Sequence, residues 1–200
     1  MKFKKCIGNT IIIWLSVVAF IINIFMGGGN RFWIFLTGGG NLIDYGYAQY
    51  NLVFDDYQLW RLVSCGYLHM GIIHFGFNLY TLHCLGNVLE KKLGTIRYLL
   101  VYHMAMILSV SICCVFFREV TVVGASSGIF AVIGFLLIQG LLCENKIWKQ
   151  LPKGERKYII YYSVIANLIS PYTTALHAIS FLLGVVYGLA KYSGRQFGEM

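Results

Sequence analysis

Few side chains in this sequence can do chemistry, and those few sit at matching positions in apolar runs. Polar residues inside long apolar segments are expensive and usually have a task. His74 and Asn78 are four residues apart, so a helix presents them on one face. Ser126 and Ser127 open another apolar run within Gly124-Ala125-Ser126-Ser127-Gly128. His177 lies near the start of the last run, 51 residues after Ser126. A hydroxyl, an imidazole and two further hydrogen-bond donors are the groups acyl transfer requires. The hydroxyl attacks a carbonyl, one imidazole takes its proton, and the other groups hold the oxyanion. Each group also has a plainer reading. A serine in a membrane helix commonly bonds a carbonyl one turn back or packs at a small contact. A histidine near a membrane boundary is commonly an interfacial residue. His83 and His103 fall deeper or on other runs and read as structural.

The elements that carry these groups are set by composition. Of 200 residues, 58% are apolar and only 12% charged, and the mean hydropathy is +0.69. A soluble domain carries about 25% charge, so a soluble enzyme or a nucleic-acid module is excluded. A net charge of +8 would suit nucleic acid only as a basic face on a soluble body. The apolar runs are 9–26, 68–89, 98–117, 126–143, 158–170 and 175–190. A crossing helix needs about 20 residues, with about 17 tolerated. The fifth run is short on this count and the sixth slightly so. Flanking residues or a locally thinned bilayer can make up the difference. The reading is therefore one all-α, six-span membrane domain over residues 1–200. The first run resembles a signal peptide at its start, but it is long, ends in Gly27-Gly28-Gly29 and has no A-x-A cleavage pattern. It reads as a retained helix.

Lys and Arg set the orientation. With a cytoplasmic N-terminus the inner segments hold 13 of the 16 basic residues, and the outer ones only Arg31, Arg61 and Arg118. Both termini then lie in the cytoplasm, and the positive charge is a topology signal. On this topology the second, fourth and sixth spans all run inward. His74, Asn78, Ser126 or Ser127 and His177 then share one depth, two or three turns below the outer surface. The outer segment 27–63 is long and dense in aromatics, including Phe32, Trp33, Tyr45, Tyr57 and Trp60. Aromatic rings favour the membrane–water boundary, so this segment is expected to lie in the outer leaflet. The six cysteines contain no C-x-x-C pair and mostly fall in apolar runs. They read as small buried residues, with neither zinc binding nor redox chemistry expected of them.

In order along the chain come Trp60-Arg61, Leu68-His69, His74-Phe75-Gly76-Phe77-Asn78, Leu89-Glu90-Lys91-Lys92-Leu93-Gly94, Gly124-Ala125-Ser126 and Ala175-Leu176-His177. This ordered set, over roughly residues 58–190, resembles the rhomboid family of intramembrane serine proteases. The resemblance implies a six-helix bundle with a water-filled cavity opening outward. It implies Ser126 as nucleophile, His177 as base of a Ser–His dyad, and His74 and Asn78 as oxyanion stabilisers beside the Ser126 N–H. The implied substrates are membrane-spanning proteins cut near their outer end, with no metal or cofactor.

Three departures stand out. Ser127 takes the place where the family usually has Gly, leaving two candidate hydroxyls. Ser127, Ala131 and Gly134 form a small-residue stripe, whereas Ser126 has Phe130 one turn beneath it, so Ser126 is favoured. Ser180 replaces the Gly common three residues after the base, although Gly184 and Gly188 continue a small face. Pro171-Tyr172-Thr173-Thr174 replaces the usual acid or amide before His177, and nothing obvious orients the imidazole. That is consistent with a dyad rather than a triad. The rival reading is a catalytically inactive rhomboid-like chaperone or sorting factor. A small transporter is disfavoured, because the spans hold almost no Asp or Glu and no repeat is visible. Short soluble segments and cytoplasmic termini suit a bacterial plasma membrane best, with an organelle membrane as the alternative.

Overall fold

A computed structural model describes residues 6–142 and 151–198, with side chains as far as 192. Cys143, Lys2, Lys4, Lys5, Lys146 and Lys149 lie outside the described residues, as does the side chain of Arg195. The fold is all-helical, as expected. In chain order the helices are α1 (Ile7–Met26), α2 (Arg31–Thr37), α3 (Asn41–Gly46), α4 (Arg61–Ser64), α5 (Gly71–Thr81), α6 (Asn87–Leu93), α7 (Thr95–Phe116), α8 (Ser126–Leu142), α9 (Lys153–Asn167) and α10 (Pro171–Gly198).

Three of these have the length and hydropathy to cross a membrane: Ile7–Met26, Thr95–Phe116 and, within α10, Pro171–Tyr192. Helix α8, at 17 residues, is apolar but shorter. The expected second span is assembled from α5 and α6 joined through a π-helical turn, Leu82–Gly86. The Asn9 side chain of α1 donates to the Leu82 carbonyl at 2.9 Å, where the turn begins, the kind of side-chain intrusion that accompanies such a turn. Asn9 also packs against Gly86, where a Cβ would overlap it.

Helix α1 is pinned at its start by Glu90 of α6. That carboxylate accepts from the amides of Gly8 (2.9 Å) and Asn9 (2.7 Å) and from Thr95 Oγ1 (2.6 Å). The first amides of a helix have no intrahelical partner, so a buried carboxylate there satisfies two of them and complements the dipole. Tyr98 donates to Asn9 Oδ1 at 2.7 Å and completes the network.

Helices α8 and α10 meet backbone to backbone. A Cβ on Gly134 would strike the Phe181 carbonyl, and one on Gly184 would strike that of Ala131. The small-residue faces read from the sequence are therefore the contact itself. Two polar bonds flank it: Ser180 donates to Ser109 of α7 at 2.7 Å, and Gln139 Nε2 donates to the Gly188 carbonyl at 2.8 Å. Cys65, Cys84, Cys113 and Cys114 are buried in the core.

The long segment 27–63 is more ordered than a loop. It carries α2, α3 and a π-helical turn, Asn51–Asp55. Gly38 (φ +83°) and Gly71 (φ +75°) seat the end of α2 on the start of α5, where any side chain would overlap backbone. Ala48 and Val122 form an antiparallel bridge, with N···O distances of 3.0 and 2.8 Å. This segment is thereby tied to the strand-like residues just before α8.

Candidate active site

One cavity of about 460 Å³ is lined by all four expected site residues, Ser126, His177, His74 and Asn78. Its walls are α5, residues 120–123, and the adjoining parts of α8, α9 and α10. Apolar side chains dominate its rim, among them Ile73, Phe77, Ile165 and Ile169, all of them exposed.

Ser126 is the first residue of α8, where backbone N–H groups lack an intrahelical acceptor. The approach to it is tightly held. Gly124 donates to the Cys65 carbonyl at 2.8 Å, Tyr102 OH donates to the Ala125 carbonyl at 3.3 Å, and the Ala125 amide points at His69 Nε2 at 3.5 Å. Gly124 has φ +118°, and a Cβ there would collide with the His74 ring. Glycine is thus required twice over, by backbone angle and by space. Ser127 is buried, does not line the cavity, and its hydroxyl has no hydrogen-bond partner. Of the two candidate hydroxyls, only Ser126 reaches the cavity.

Hydrogen bonding fixes how the other polar groups present themselves. The Met70 amide donates to His74 Nδ1 at 3.3 Å. In a neutral ring that leaves the proton on Nε2, the nitrogen near Gly124. Asn78 Nδ2 donates to the His74 carbonyl at 2.9 Å, and Tyr162 OH of α9 donates to Asn78 Oδ1 at 2.9 Å. A carbonyl can only accept, so the amide orientation follows from chemistry, and the second N–H of Asn78 remains available.

His177 is 2% exposed and stacks on Phe130, with ring centroids 4.0 Å apart and planes 9° apart. Phe130 is the aromatic that the sequence places one turn beneath Ser126. His177 Nδ1 lies 3.2 Å from Asn167 Oδ1. The expectation that nothing orients His177 is therefore corrected: an amide does so, ten residues upstream on α9 rather than just before the histidine. His177 Nε2 is buried and makes no hydrogen bond, so it is not bonded to Ser126 Oγ.

The sequence does not single out Tyr162 or Asn167, because an orienting group for His177 is expected within residues 171–174. A signal did exist, since Asn167 is a polar residue inside the short fifth apolar run. His103 sits away from the cavity, between Tyr67 OH (2.6 Å) and the Leu99 carbonyl (2.8 Å), in keeping with a structural role.

The profile of the Rhomboid domain family matches residues 56–193. RHOMBOID-like protein 7 of Arabidopsis thaliana is 33% identical over 85 residues, covering 42% of this chain and 27% of that protein. Rhomboid protease GluP of Bacillus subtilis is 35% identical over 105 residues, 52% of this chain and 20% of GluP. Inactive RHOMBOID-like protein 8 of Arabidopsis thaliana is 25% identical over 130 residues, 65% of this chain and 32% of that protein. The chain spans less than a third of the length of each of these three relatives. With a family profile covering most of its length and the apolar helices described above, this multi-pass membrane protein belongs to the rhomboid family.

Proposed function

We propose that the chain is an intramembrane serine endopeptidase that cleaves membrane-spanning proteins near their outer end with a Ser126–His177 dyad. The observation that carries this reading is the shared cavity, with a helix-terminal serine, a buried imidazole and two oriented donors on its walls. Ser126 Oγ attacks the substrate carbonyl as His177 Nε2 takes its proton. The oxyanion is held by His74 Nε2–H, the free N–H of Asn78 and the Ser126 amide. Collapse expels the amine, which receives the proton from His177, and water then hydrolyses the acyl-enzyme by the same route in reverse roles. Apo geometry often tightens only with substrate bound, so formation of the Ser126–His177 bond belongs to the Michaelis complex. The exposed apolar rim suits a substrate arriving from lipid. No step calls for a metal or cofactor. The chain is assigned to a plasma membrane with six crossings and both termini in the cytoplasm.

The inactive-relative reading is kept because one similar protein is named inactive. A fluorophosphonate probe separates the two. Wild type is expected to label and to cleave single-span reporters in proteoliposomes, Ser126→Ala to do neither, and Ser127→Ala to do both. Labelling that survives in Ser126→Ala and disappears in Ser127→Ala would move the nucleophile one residue along. An unlabelled wild type favours the chaperone or sorting role.

A further inference from the structure

We infer that Asn167 is a positioning residue for the base: its side-chain carbonyl holds the proton on His177 Nδ1 and so leaves the lone pair on Nε2. The inference deepens the protease reading and rests on it.

The chemistry of neighbouring atoms forces the arrangement. Asn167 Nδ2 donates to the Ser163 carbonyl, one turn back on α9, at 2.7 Å. A carbonyl oxygen cannot donate, so the amide atom facing Ser163 must be nitrogen. Oδ1 is then the atom 3.2 Å from His177 Nδ1. Oδ1 only accepts, so Nδ1 must carry the hydrogen. A neutral imidazole has one N–H, which places the lone pair on Nε2. That atom is buried and unbonded, the state a general base needs before it receives a proton.

The backbone around Asn167 is also held. Thr174 of α10 donates its hydroxyl to the Asn167 carbonyl at 2.8 Å, and the Asn167 to His177 bond spans the turn between α9 and α10. Ser170 caps α10 at that turn, its Oγ accepting from the Thr173 amide at 3.1 Å, and Pro171 fits the first helical turn because no N–H is needed there. Phe130 fixes the plane of the imidazole from one side. Asn167 fixes the rotation within that plane. Without it, the ring is free to take the other tautomer and put a hydrogen on Nε2, which cannot then act as a base.

The test uses the full chain in lipid nanodiscs, with ¹⁵N-labelled histidine to read tautomers and a single-span reporter to read kinetics. Wild type should show His177 protonated at Nδ1, and Asn167→Ala should show a mixture or the Nε2–H form. In Asn167→Ala, kcat should fall about ten- to a hundredfold with KM within about twofold. Asn167→Asp, which can still accept from Nδ1, should restore kcat to within about threefold of wild type. An identical His177 tautomer in wild type and Asn167→Ala overturns the inference, as does a loss expressed in KM alone. Should wild type carry no fluorophosphonate label, the protease reading fails and this role falls with it. A labelled wild type whose tautomer is indifferent to Asn167 overturns the positioning role alone.

Discussion

Hydrogen bonds to acceptor-only carbonyls or from a backbone amide orient Asn78 and the two imidazoles, His74 and His177, that line the cavity. Asn78 illustrates the point. Its Oδ1 is occupied by Tyr162 and one amide hydrogen by the His74 carbonyl, which leaves one hydrogen, the one the proposed mechanism uses to hold the oxyanion. Asn78→Ala removes that donor and strands the Tyr162 hydroxyl. Cleavage should fall about 10²–10³-fold, the usual cost of one oxyanion donor. Tyr162→Phe keeps the donor and loses only its anchor, so a smaller loss of about tenfold is expected. Single-turnover cleavage rates in proteoliposomes distinguish the two. A Tyr162→Phe effect as large as that of Asn78→Ala would mean that the tyrosine itself contacts the reacting atoms.

At the scale of elements, the α8–α10 contact decides whether Ser126 and His177 can share a cavity at all. The crossing depends on Gly134 and Gly184, whose missing Cβ atoms let carbonyls of the opposite helix approach. In lipid there is little hydrophobic drive between helices, so such close packing carries much of the association. Gly184→Val should cost about 1–3 kcal/mol or more, since the obstruction is backbone and cannot rotate away. Gly140→Ala on α8, where a Cβ meets nothing, should be neutral. Thermal unfolding in detergent micelles compares them; equal midpoints would show that the crossing is not the constraint. This contact was legible beforehand, because spacings of three and four mark helix faces. Ser180 was not: it reads as a breach in the glycine face, whereas it turns to Ser109 on the neighbouring α7. One-dimensional spacing says which residues share a face but not which third helix that face also meets. The broken second span was likewise hidden, because Asn9 acts on Leu82 from a distant part of the chain.

For the whole molecule, the segment between α1 and α5 is the part whose role depends on the bilayer. Phe32 and Trp33 on α2 are 62% and 59% exposed, on a helix clamped to the start of α5 by Gly38 and Gly71. Large aromatic rings facing outward on a fixed short helix fit the membrane boundary. A variant with Trp33 as its sole tryptophan, reconstituted in vesicles, should be quenched most by lipids brominated near the headgroup. Quenching by aqueous iodide instead would place α2 in water. The bridge from Ala48 to Val122 ties this same segment to the cavity wall.

The sequence by itself determined the chemical inventory and its order: the apolar runs, the basic asymmetry, and the serine, histidines and asparagine in register with them. These depend only on composition and helical period, which are local properties of the chain. Only the tertiary structure put Ser126 rather than Ser127 on the cavity wall, and set the Asn167 side chain of one helix against the His177 ring of the next. Each of those depends on how separate helices are rotated about their own axes, and that rotation is set by contacts between residues far apart in the chain.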